Sequence, residues 1–194
     1  MKLPTILLSL SFLFLAFPQQ TSTALSKKGT QTFYLRTHLK RFSCFNYRHF
    51  NGLYLYASPS EISSWIWYNV LFTPNISLAS HGFLDDTNPA NAYQNFYLHN
   101  NETYGLGILP DVESGWLKTL MTIRSGMPGF AFADMGKTGK ALVASPKSNM
   151  ASEWGGWLIC DWSKNAPELF ARNLGKPYPA PRGCADVDLI QVLL

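Results

Sequence analysis

Gly129-Phe-Ala-Phe-Ala-Asp-Met-Gly-Lys-Thr-Gly-Lys-Ala-Leu-Val-Ala144 reads as two short strands joined by a tight connection. Small and apolar residues fill the two arms. Asp134, Gly136 and Gly139 supply the chemistry of a hairpin turn between them. Working outward, the same grammar recurs along the chain. Runs of β-branched and aromatic residues predict strands at Phe33–Leu39, Leu53–Ala57, Trp65–Phe72, Tyr93–Leu98, Tyr104–Leu109 and Trp116–Arg124. They continue at Gly129–Ala133, Lys140–Ala144, Gly156–Trp162, Glu168–Arg172 and Val187–Leu193. No long run has a 3.6-residue period, so helix is confined to short pieces near Ser77–Phe83 or Ser58–Ser63. The expected fold is all-β: a single-domain antiparallel barrel or sandwich of about 8–11 short strands. Closing a barrel hides strand edges, which suits a chain with only 14% charged residues. No internal repeat, low-complexity tract or second domain is legible. Leu174 to Gly183, with Pro177, Pro179 and Pro181, reads as an extended connection before the last strand.

The first residues predict export. Lys2 precedes an apolar run from Ile6 to Phe17, too short for a membrane span of about 20 residues. Pro18 ends the run, and Thr21, Ser22, Thr23 and Ala24 are the small or polar residues expected before a signal-peptidase cut. Residues 1–24 are therefore expected to be a signal peptide, and 25–194 a single secreted β domain without a membrane span. The net charge of +4 comes from scattered lysines and arginines. Neither Lys27-Lys28 nor Lys40-Arg41 makes a nucleic-acid footprint, so nucleic acid is excluded as a partner.

Of three cysteines, Cys160 and Cys184 both sit in strand-like C-terminal sequence and are expected to pair. Cys44 is left over, as a buried thiol or a partner for another molecule. Asn75-Ile-Ser and Asn101-Glu-Thr are glycosylation triplets in turn-rich sequence, and Asn75 and Asn101 are expected to carry surface glycans in a eukaryotic host.

The search for chemistry excludes more than it finds. Gly136-Lys-Thr lacks the earlier glycine of a phosphate loop, with Ala131 in its place. Ser114 and Ser125 lack the first glycine of a nucleophile elbow. His38, His49, His81 and His99 are widely spaced, no cysteine–histidine spacing matches zinc, and no cofactor or metal is expected. Among the carboxylates Asp85, Asp86, Asp111, Glu113, Glu153 and Asp161, the first three read as turn residues. Asp161 differs because it closes Trp154-Gly-Gly-Trp-Leu-Ile-Cys-Asp-Trp162. Alternation puts Leu158, Cys160 and Trp162 on one face, taken as core because of the disulfide. Trp157, Ile159 and Asp161 then share the other. A carboxylate beside an indole can grip a sugar, the ring stacking on C–H groups while the acid accepts hydroxyl hydrogens. The same residues could equally fill a barrel. Trp65 and Trp67, projecting to one side, present the same choice between binding patch and core.

Three C-terminal blocks resemble a known family: Gly155-Gly-Trp-Leu-Ile-Cys-Asp-Trp162, Pro167-Glu-Leu-Phe170 and Cys184-Ala-Asp-Val-Asp-Leu189. Phe33-Tyr-Leu-Arg-Thr37, Asn51-Gly-Leu-Tyr-Leu-Tyr-Ala57 and Leu71-Phe-Thr-Pro-Asn-Ile-Ser-Leu-Ala-Ser80 resemble its earlier blocks in the same order. The family consists of fungal secreted proteins and is defined only as a domain of unknown function. The resemblance implies a fungal source, a eukaryotic secretory route and the Cys160–Cys184 pair, but no activity. The chain departs from the pattern at Cys44 and in Glu61–Tyr68.

Aromatic richness (14%), few charges and no catalytic constellation favour a non-catalytic secreted domain that binds carbohydrate, with cell-wall or surface glycans as partners. The expected site is Trp157, Asp161, Trp65 and Trp67. The rival readings are an extracellular hydrolase using Asp161 and a second carboxylate, and a host-facing protein-interaction module.

Overall fold

The computed structural model describes residues 31–194 apart from 41–44, 60–66, 90, 99–101, 110–114, 124–125, 164–165 and 174–178. Residues 1–24, expected to be a signal peptide, lie outside the described residues, as do Cys44, Trp65, Asn101, Asp111 and Glu113. Among the described residues twelve strands form: β1 Phe33–Leu39, β2 Tyr54–Pro59, β3 Trp67–Thr73, β4 His81–Asp85, β5 Tyr93–Tyr97 and β6 Thr103–Ile108. They continue with β7 Trp116–Ile123, β8 Phe130–Asp134, β9 Lys140–Ala144, β10 Trp154–Cys160, β11 Glu168–Asn173 and β12 Cys184–Leu193. Between them lie short 3₁₀ turns, with no α-helix among the described residues. The opening hairpin holds: β8 and β9 pair antiparallel from Phe130–Ala144 to Asp134–Lys140.

Two expectations need correction. β4 is a twelfth strand, where the sequence suggested a helical piece over Ser77–Phe83. The helical geometry stops after Ile76–Leu78, and from His81 the chain is drawn into pairing with β5. The second concerns repetition, which is not legible in the sequence but is present in the strand pairings. Nine strands follow one another around a closed antiparallel barrel, β1-β4-β5-β6-β7-β3-β11-β10-β12, which β1–β12 pairing shuts. The wider set of pairings has threefold order. Hairpins β2–β3, β6–β7 and β10–β11 correspond, and their second strands meet pairwise as β3–β7, β7–β11 and β11–β3. Pairs β12–β1, β4–β5 and β8–β9 correspond likewise. So do β1–β4, the Tyr93–Pro128 bridge from β5 towards β8, and β9–β12. Three four-strand units thus surround one axis, with a six-stranded barrel at one end and three hairpins capping the other. That is the layout of a β-trefoil.

The core explains why the repeat stays hidden. Leu55, Leu106 and Trp157 stand 51 residues apart, opposite Phe72, Met121 and Ala171 of their own hairpins. All six are at most 1% exposed. The units keep the position and trade the volume: the largest ring faces the smallest side chain, as dense packing requires. Trp157 also donates its indole N–H to the Leu142 carbonyl at 2.7 Å.

Candidate functional site

The hairpin cap turns one face to the core and the other outward. In β3, Val70 and Phe72 enter the core, so Trp67 projects the other way and is 47% exposed. β7 also opens on a tryptophan, Trp116, while β11 opens on Glu168. On this outward side a second, smaller apolar cluster forms from Leu158, Cys160, Phe170 and Cys184, with Trp116 and Ala180 packed against it.

The disulfide is its anchor. Cys160 and Cys184 are direct partners across β10–β12, and their bond is formed as expected. Strand β10 ends there, so Asp161 and Trp162 enter a turn. The Asp161 N–H donates to the Gly183 carbonyl at 2.9 Å, and the Gly183 N–H donates to the Tyr47 hydroxyl at 3.2 Å. Trp162 lies over the cluster, edge-on to Phe170 at 5.0 Å and to Trp116 at 5.9 Å. Its indole N–H reaches the Arg182 carbonyl at 3.4 Å, yet the residue remains 43% exposed. At the preceding residue, His49 Nε2 lies 3.1 Å from Asp161 Oδ2, with both side chains about half exposed. Aromatic contacts thus fix the ring, and a hydrogen bond fixes the acid, before any ligand arrives.

This differs from the face expected for Trp157. That residue is 1% exposed, stacked against Phe130 and edge-on to Trp154, and takes no part in an exposed surface. The alternation from Trp157 to Cys160 is as expected, but the face with the disulfide is the smaller outer cluster and the face of Trp157 and Ile159 is the core. Between Trp154 and Trp157 the register with β11 shifts, and Gly156 takes a φ of 103°. Trp154 and Trp157, three residues apart, therefore both turn inward, and Leu158 and Cys160 face the outer cluster. Asp161 keeps its expected exposure, and the next residue, Trp162, which sequence reasoning assigned to the core, is half exposed. The Gly155-Gly156 pair signals the bulge, but no local signal says which face of β10 is the core.

Of the other expected site residues, Trp67 is outward on β3. Asn75 is exposed and caps the turn before β4, its Oδ1 accepting from the Ser77 N–H at 3.0 Å and hydroxyl at 2.8 Å. Other carboxylates are held by bases: Asp186 by Arg172 at 3.0 Å, Glu168 by Lys118 at 3.2 Å and Asp188 by Lys40 at 3.3 Å. Asp85 and Asp134 cap turns, as their sequence context suggested. No group of three or more metal-ligating side chains gathers among the described residues.

Residues 30–193 match the model of a domain of unknown function, DUF7907. The chain belongs to that family. The DUF7907 match takes in all twelve strands and the whole outward cluster. Membership supplies no activity, because the family is defined without one. No curated protein and no solved structure matches the chain.

Proposed function

We propose that this is a secreted, non-catalytic domain that binds carbohydrate on the outward face of its hairpin cap, around Trp162 and Asp161. The observation that carries the reading is a half-exposed indole, packed on Phe170 and Trp116, at the residue next to a carboxylate that is hydrogen-bonded to His49. A pyranose ring presents a C–H face to stack on the indole and hydroxyls to donate to the acid. Holding both groups in place beforehand removes part of the ordering cost of binding. The fold itself hosts many functions and carries no weight here.

The test is binding of the purified protein to a glycan array and to insoluble wall polysaccharides, with Trp162→Ala and Asp161→Asn alongside. Both positions are exposed, so both variants are expected to stay folded by circular dichroism. Each should weaken binding at least tenfold, about 1.4 kcal/mol. Unchanged binding in both variants would move the site elsewhere, and a wild-type protein that binds no glycan would remove the proposal.

A further inference from the structure

Thr73-Pro-Asn-Ile-Ser-Leu-Ala-Ser80 joins β3 to β4 beside β2, and hydrogen bonds hold it at both ends. The Asn75 N–H donates to Thr73 Oγ1 at 3.1 Å and the Ser80 N–H to the Leu55 carbonyl at 3.0 Å. Ser80 Oγ in turn accepts from the Ala57 N–H at 3.1 Å. A single 3₁₀ turn, Ile76–Leu78, fills the middle, closed by the Leu78 N–H on the Asn75 carbonyl and the Ala79 N–H on the Ile76 carbonyl. This frame leaves two aliphatic side chains in solvent: Ile76 is 46% exposed and Leu78 is 59% exposed. Single exposed apolar residues are ordinary on a protein surface, but here two share one fixed turn with a glycosylation triplet, Asn75-Ile-Ser. Asn75 is exposed, and its Oδ1 accepts from both the Ser77 N–H and the Ser77 hydroxyl. The acceptor end of the amide is thus tied to the turn, and its Nδ2 has no partner among the described residues.

We propose that Asn75 carries an N-linked glycan whose first sugar lies over Ile76 and Leu78 as part of the folded structure. This rests on the secretory half of the reading above and not on its carbohydrate-binding half. In the attachment step Asn75 Nδ2 forms a bond to the anomeric carbon of a lipid-linked oligosaccharide diphosphate. The C–O bond to the diphosphate breaks, the diphosphate leaves with that electron pair, and one amide proton passes to a base of the transferase. The C–H face and the N-acetyl methyl group of the first sugar then meet the two aliphatic side chains, taking apolar surface out of water on both partners. The covalent link makes the contact intramolecular, so the sugar needs no affinity of its own to stay there.

The test uses the full chain expressed in a eukaryotic secretory host that adds high-mannose glycans. Peptide mass spectrometry of the secreted protein should find Asn75 modified. An endoglycosidase then trims each glycan to one N-acetylglucosamine, and a peptide N-glycosidase removes it all and leaves aspartate, which still accepts from Ser77 and keeps the turn capped. Trimming should leave Tm unchanged, and full removal should lower it by about 2–4 °C. Ile76→Ser with Leu78→Ser keeps Asn75 and Ser77, so the glycan should remain, and the fall in Tm on its removal should vanish. Any change at Asn101 is common to both proteins and cancels. An unmodified Asn75 in the secreted chain, a Tm indifferent to full removal, or a fall that survives the double substitution would overturn the proposal while leaving the secretory reading. A chain retained in the cell with residues 1–24 uncleaved would overturn that reading, and this one with it.

Discussion

Tyr104 shows how one side chain can be read on two levels. It is 4% exposed, packs edge-on against Tyr68 at 5.1 Å, and donates its hydroxyl to Glu102 Oε2 at 3.1 Å. Burial, reinforced by the hydrogen bond to Glu102, pushes its pKa from 10.0 up to about 12. The neutral phenol is therefore favoured in the folded chain. Its contribution is complete below pH 10 and is lost as pH rises through about 12, because the unfolded chain releases the proton first. Denaturation midpoints should fall between pH 9 and pH 11.5, and Tyr104→Phe should flatten that part of the decline. Trp157 and Trp162 make the complementary point about identity and place. Both are indoles in one C-terminal block, and one is interior while the other is half exposed. What separates them is alternation: five residues apart, they lie on opposite sides, Trp157 in the core and Trp162 against the outer cluster.

At the level of the element, the three hairpins are interchangeable in plan and specialised in filling. Trp157→Leu should cost about 3 kcal/mol, through the cavity left and the Leu142 carbonyl stripped of its donor. Ala171→Met should cost about 1–3 kcal/mol by overpacking. Together they recreate the Leu106–Met121 pair of the neighbouring hairpin, so the double variant should lose less than the sum when urea unfolding is compared across the cycle. The Cys160–Cys184 bond joins β10 to β12 across 24 residues, and Cys160→Ala with Cys184→Ala should cost about 3 kcal/mol by the chain-entropy account. Because Trp162 sits over that bond, the same double variant should also blue- or red-shift the tryptophan emission before any global unfolding. Legibility followed the same division. Strands such as Phe33–Leu39 and Lys140–Ala144 were readable to the residue, since local alternation and turn chemistry fix them. β4 was not, because its short His81-Gly-Phe-Leu-Asp run has too little alternation and becomes a strand through β5. Trp157 and Trp162 were assigned to the wrong sides because the disulfide face was taken for the core, and local sequence does not say which face of a strand packs on the larger cluster.

On the scale of the whole molecule, the threefold plan was invisible in the sequence for a physical reason. Packing constrains the summed volume at the axis, so Leu, Leu and Trp can occupy one ring of positions if Phe, Met and Ala occupy the next. What recurs is a register, and a register is legible only once strands are paired. The same closure has a temporal side. β1 and β12 are matched residue for residue, Phe33 against Leu193 through to Leu39 against Val187. The longest ladder in the barrel therefore joins segments separated by some 150 residues of chain, the kind of contact whose loop entropy must be met before it yields any stability. A nascent chain holds β1 without its main partner until nearly every other strand has been synthesised. Cooperative folding is accordingly a late event, and the interval before it is when an unpaired β1 is most open to capture by another copy.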